Sequence, residues 1–134
     1  MYEKLTAFFP KFSSENYGEW IFDQENDGSE EHPIHLPFVA YDDTVTEFVK
    51  VVYDFVNNHE EMNLREYHYI LEIAGIKGNK KIDILSLDGQ VVMALILNAI
   101  RTDRFCEGFL LEFFQSGKLK KCLLRLKILD EECA

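Results

Sequence analysis

Long apolar runs are missing from this sequence. The longest uninterrupted one is Val91–Leu97, far short of the about 20 residues that a helix needs to cross a bilayer. The opening Met1-Tyr2-Glu3-Lys4-Leu5 lacks the basic-then-apolar pattern of a secretory signal. The chain therefore reads as soluble and cytoplasmic, with no membrane role. Paired cysteines are missing too. Cys106, Cys122 and Cys133 are odd in number and form no Cys-x-x-Cys, which argues against a disulfide scaffold or a zinc ribbon. Internal repeats and low-complexity tracts are absent. So are a Gly-x-Ser-x-Gly elbow, a phosphate-binding P-loop, a dinucleotide fingerprint and a His-Glu-x-x-His helix. No cofactor or metal is called for.

Basic residues are scarce in the first half. Up to Asn63 there are only Lys4, Lys11 and Lys50 against fourteen carboxylates, a net charge of −11 within a total of −10. That half repels nucleic acid and anionic lipid. From Leu64 onward, eleven bases nearly balance ten acids.

What is present suits one folded domain over residues 1–134. Apolar residues make up 47% of the 134. A chain of this size buries roughly two-thirds of its unfolded surface and needs neither metal nor disulfide to fold. Residues 1–41 read as a short helix ended by Pro10, followed by extended pieces. Gly18–Phe22 and Ile34–Tyr41 suit a small hairpin, and the acidic Asp23–Pro33 between them reads as an exposed loop.

Residues 42–134 read as a helical core. Val45, Phe48, Val49, Val52, Phe55 and Val56 recur at helical spacing, which predicts a helix over Asp43–Asn57 opened by a Thr44-x-x-Glu47 capping box. Asn63-x-x-Glu66 opens a second helix, stopped at Gly75, with Ile76–Asp83 as a linker. A third, capped by Ser86 or Asp88, runs to Asp103. Its Val91–Leu97 is apolar on every face, as in a central buried helix. Phe105–Gln115 and Lys118–Asp130 form an antiparallel pair broken at Ser116-Gly117. The fold class is mainly α, a compact multi-helix domain with a small N-terminal hairpin; α+β is the alternative.

The candidate chemistry gathers at the end of the third predicted helix. Asn98, Arg101 and Arg104 are spaced by three and so share a face. Two guanidinium forks there suit a carboxylate or phosphate, with Asp103 between them. The competing account is structural: the helix dipole favours cations at a C-terminus, and Asp42, Asp43 or Glu47 offers each arginine an internal partner. Trp20, Tyr41 and Asp42 form a second group, either an aromatic floor with a carboxylate or packed core. His32 and His35 stand beside Glu30 and Glu31 but lack a second metal-ligand cluster. Cys106 lies close to Arg104, which favours a thiolate, yet no histidine is near it in sequence. Cys122 falls on an apolar stripe. The Phe105–Asp130 pair also has the outline of a helix-turn-helix, which the acidic first half and the leucine-rich last helix oppose.

Ser86-Leu87-Asp88, Ala94-Leu95-Ile96, Ile100 to Gly108, Gly117-Lys118-Leu119 and Leu123 to Lys127 together resemble a bacterial family catalogued as a domain of unknown function, number 6508. The similar region extends upstream to Gly18-Glu19-Trp20 and Pro37 to Asp42. Similar segments follow ADP-ribose-processing macro domains in some bacterial proteins. The resemblance thus implies an accessory or binding role near nucleotide metabolism, and it assigns no catalytic residue. Three readings stand. One is an interaction module that binds a protein or a small anionic ligand through Arg101 and Arg104, with homo-oligomerisation through Phe113 or Phe114 as an option. The second is an enzyme whose pocket joins Trp20, Tyr41, Asp42, Arg101 and Arg104. The third and weakest is a DNA-binding helix pair.

Overall fold

The computed structural model describes residues 1–13, 17–21, 37–76 and 82–132. The acidic loop with His32 and His35, most of the Ile76–Asp83 linker, and Cys133 lie outside the described residues. The described chain is mainly helical, with one small hairpin. It runs α1 (Glu3–Thr6), β1 (Gly18–Ile21), β2 (Phe38–Tyr41), α2 (Asp43–Asn58), α3 (Tyr67–Ile73), α4 (Gly89–Thr102), α5 (Phe109–Gln115) and α6 (Lys118–Glu132), with short 3-10 turns between. None of these helices is long and apolar enough to cross a membrane.

The centre is α4. Asp88 opens it in extended conformation, and its carboxylate accepts the Val91 N–H, satisfying one of the donors that a helix start leaves unpaired. Every residue from Val91 to Leu97 is then buried, as an all-apolar helix requires. Helices α3, α5 and α6 pack around it. Leu119, Cys122, Leu123 and Leu126 form the buried stripe of α6. Val45, Phe48, Val52, Phe55 and Val56 form that of α2. The N-terminal segment completes the core. Phe12 stacks edge-on against Phe48 and Phe114, with ring centroids 5.4 and 4.9 Å away. Phe113 and Phe114 are both buried, so neither offers a dimer surface in this fold.

Turn chemistry explains where the helices stop. At the end of α3, Gly75 takes φ +73°. Its N–H bonds to Glu72, and the Ile76 N–H reaches back to Leu71, which closes the last carbonyls. Gly117 at φ +81° separates α5 from α6. At α2 and α3 the predicted caps, unlike Asp88 at α4, are not the residues that open the helix. Helix α2 starts from Asp42 rather than Thr44, and no side chain caps it. Thr44 therefore lies inside the first turn and the capping box goes unused. Asn63 caps nothing either. It sits at φ +52° between two 3-10 turns, and α3 begins only at Tyr67. Asparagine tolerates that left-handed backbone better than most residues do.

The hairpin is antiparallel, with Trp20 opposite Val39 and Gly18 opposite Tyr41. Residues directly opposite one another project to the same face, so Trp20, Val39 and Tyr41 share one. That face meets the connection between α4 and α5.

Candidate functional site

This connection, residues 103–108, departs from the predicted helix over Phe105–Gln115. Helix α5 starts only at Phe109, because Gly108 adopts φ +88° and cannot be helical. Glycine at that position offers no side chain to cap the new helix. Two distant side chains do so instead. The Asp103 carboxylate accepts the Leu110 N–H at 3.0 Å, and the Tyr41 hydroxyl accepts the Leu111 N–H at 3.0 Å. Tyr41 donates its own proton to Asp103 at 2.8 Å. Burial, reinforced by the hydrogen bond to Asp103, holds the Tyr41 phenol well above the ordinary tyrosine range. The Glu107 carboxylate takes the Val39 N–H at 2.8 Å, and so ties β2 to the same loop. Asp103 and Tyr41 thus form a clasp between hairpin and helix.

The Trp20 indole lies against Gly108. A methyl group added to Gly108 would meet it at 2.3 Å. Gly108→Ala is therefore expected to cost about 1–3 kcal/mol through backbone strain and to lift the indole off the loop. Trp20 is the sole tryptophan, so a red shift of its emission reports the change. Unaltered emission and an unaltered melting midpoint would refute the packing. Asp42 stands apart from this clasp. It is exposed at the start of α2, and its N–H bonds to the Tyr17 carbonyl.

The two arginines make different contacts. Helix α4 ends at Thr102, and Asp103 keeps a right-handed helical conformation before Arg104 on the following turn. Its guanidinium donates to the Tyr53 hydroxyl at 3.4 Å. Arg101 sits over the Tyr67 ring, 5.9 Å from its centroid. Among the described residues, neither arginine has a carboxylate within ion-pair distance. Asp42, Asp43 and Glu47 are not their partners.

Arg101 instead lines a groove of about 520 Å³ with Tyr53, Val56, Asn57, Arg65, Tyr67, His68 and Leu97. Three segments build it. Helix α2 supplies Tyr53, Val56 and Asn57 from its last turns. The 3-10 turn Leu64–Glu66 and the start of α3 supply Arg65, Tyr67 and His68. The end of α4 supplies Leu97 and Arg101. His68 packs on Tyr67 with ring centroids 4.1 Å apart. Two guanidiniums and an imidazole therefore border one cavity, and among the described residues that line it none is a carboxylate. The placement is notable in a chain of net charge −10.

Sequence reasoning singled out Arg101 and passed over Arg65, His68, Tyr53 and Tyr67. The signal for two of them was present. Arg65 and His68 are three residues apart at a helix start, the only such basic pair in the stretch between Lys50 and Lys77. A larger groove, about 670 Å³, is lined by Asn63, Glu66, Tyr69, Ile70, Ile73, Ala74, Asp88, Gln90 and Val91. It has acidic groups at its edge and holds none of the candidate residues. Asp88 is already committed to capping α4, so this groove offers less convergent chemistry despite its size.

Of the cysteines described, Cys106 is exposed and Cys122 buried. Burial pushes the Cys122 thiol up to about 12, which leaves it protonated and inert. No cluster of metal-ligating side chains exists among the described residues. A family model described as "Family of unknown function (DUF6508)" matches residues 2–132. No curated protein and no solved structure matches the chain.

Proposed function

We propose, for a chain that belongs to the DUF6508 family, a ligand-binding role in which a small anion occupies the Arg65–His68–Arg101 groove. One observation carries this reading: fixed positive charge converges on a cavity that has no carboxylate among its described lining residues. Guanidinium groups with no carboxylate partner among the described residues have donors for an incoming oxyanion, which they engage in bidentate fashion. Arg104, held by Tyr53, adds positive potential at the edge. The volume falls within the range of small-molecule sites. The Tyr41–Asp103 pair takes no part in this binding, because its polar atoms are spent on capping α5.

Calorimetry and thermal melts with inorganic phosphate, sulfate and malonate test the reading. At least one of these anions is expected to bind at millimolar concentration, more weakly as sodium chloride is raised. The Arg65→Gln/Arg101→Gln double variant is expected to lose about tenfold or more in affinity, the equivalent of one charge-assisted hydrogen bond. Its circular dichroism should be unchanged, since both side chains are exposed. Absence of stabilisation by all three anions, or equal binding by the double variant, would overturn the reading.

A further inference from the structure

The lining of this groove is divided by depth. Leu97, Val56 and Tyr67 are 2%, 8% and 9% exposed, so the floor consists of core side chains. Arg65, His68, Arg101 and Asn57 are exposed and make the rim, with Tyr53 half-buried between. A bare oxyanion held by the rim leaves the accessible edges of that floor facing water. Aliphatic and aromatic floor atoms return free energy only to a ligand with apolar surface of its own. A cavity of about 520 Å³ also matches sites that enclose whole small molecules rather than single ions.

The rim fixes the charge of the ligand. Two guanidiniums are permanently cationic, and the His68 imidazole adds a ring nitrogen able to hydrogen-bond. A carboxylate supplies one negative charge to match them. A phosphate monoester carries between one and a half and two near pH 7, with three acceptor oxygens. Arg101, seated over the Tyr67 ring, puts one of those cations directly beside the floor.

We infer that the ligand is a ring-bearing phosphate monoester, its phosphate bridged by Arg65 and Arg101 and its ring laid on the Val56–Leu97–Tyr67 floor. This inference rests on the anion-binding reading above and narrows it to one ligand class. Phenyl phosphate, inorganic phosphate and benzoate serve as probes, each titrated into the full chain with methyl and amide resonances followed by NMR. Phenyl phosphate is expected to bind about tenfold more tightly than either of the other two. It alone should move the methyl signals of Val56 and Leu97. Equal affinity for phenyl phosphate and inorganic phosphate, without methyl shifts, overturns the ring contact and leaves the anion site standing. Equal affinity for benzoate and phenyl phosphate overturns the phosphate assignment. Failure of all three to bind removes both readings together.

Discussion

Ile96→Ala is expected to destabilise the protein by about 2–5 kcal/mol. Ile96 is fully buried in the middle of α4, beside Val92, Met93 and Ala94, which are equally inaccessible. Helices α3, α5 and α6 surround this segment, so the space left by three lost carbon atoms cannot be closed by the movement of one neighbour. The cost is then the lost transfer energy plus that of a residual cavity. Against the 5–15 kcal/mol by which domains are ordinarily stable, this is a large fraction. Urea unfolding followed by circular dichroism measures it. The midpoint should fall with the slope unchanged. A midpoint shift worth less than about 1 kcal/mol, the size of a change at a yielding site, would show that α4 is not enclosed.

Asp103→Ala is expected to cost about 2–3 kcal/mol and to loosen the hairpin from the helices. The carboxylate accepts from both the Leu110 N–H and the Tyr41 hydroxyl. Its loss strands two half-buried donors, and hydrogen bonds to charged groups are worth about 1.5–3 kcal/mol each before solvent rescues part of the loss. Helix α5 is only Phe109–Gln115. It has few internal hydrogen bonds to fall back on, and short helices depend on what holds their ends. A double-mutant cycle with Tyr41→Phe isolates the pair and should return a coupling of about 0.5–3 kcal/mol. Strict additivity would show that the two side chains act independently. The same pair sets an alkaline limit. Tyr41 is held above its ordinary ionisation, so its contribution is whole below about pH 10, where an unfolded tyrosine begins to ionise. It is lost progressively as pH rises beyond that point. Tyr41→Phe should flatten this limb of the stability profile.

The legible parts of the fold were those governed by one stretch of sequence. Val91–Leu97 announced a buried helix because no polar face remained for solvent. Gly75 and Gly117 announced helix ends because both stand in the left-handed region. The start of α5 was not legible. Phe105 to Gln115 carries apolar residues dense enough to continue a helix, and Phe105 was read as one of them. It is instead 89% exposed, because the positive φ of Gly108 and the remote cap from Asp103 move the start to Phe109. Local reading cannot weigh a cap supplied by residues seven and seventy positions away.

The groove was legible only in part for the same reason. Arg101 stood out as a charge at the end of an apolar helix. Arg104 falls just beyond Thr102, the last residue of α4, and donates to Tyr53 at the edge of the groove that Arg101 lines. Arg65 and His68 meet Arg101 only because α3 packs on α4, which no spacing within either helix encodes. The Tyr41–Asp42–Trp20 group divided likewise. Tyr41 and Trp20 face the loop at residues 103–108, whereas Asp42 begins α2.

The aromatic cluster around Phe12 bears on how the chain reaches its native state. Phe12 and Tyr17 pack on Phe114, and the Tyr2 N–H bonds to Asp130. Helical proteins assemble fast when their contacts join near neighbours in sequence, because little chain entropy is spent in closing each loop. Here the opening residues pack on Phe48 of α2 but are completed by partners from α5 and α6. On a ribosome, the early aromatics find α2 first and complete their seats only once α5 and α6 have emerged.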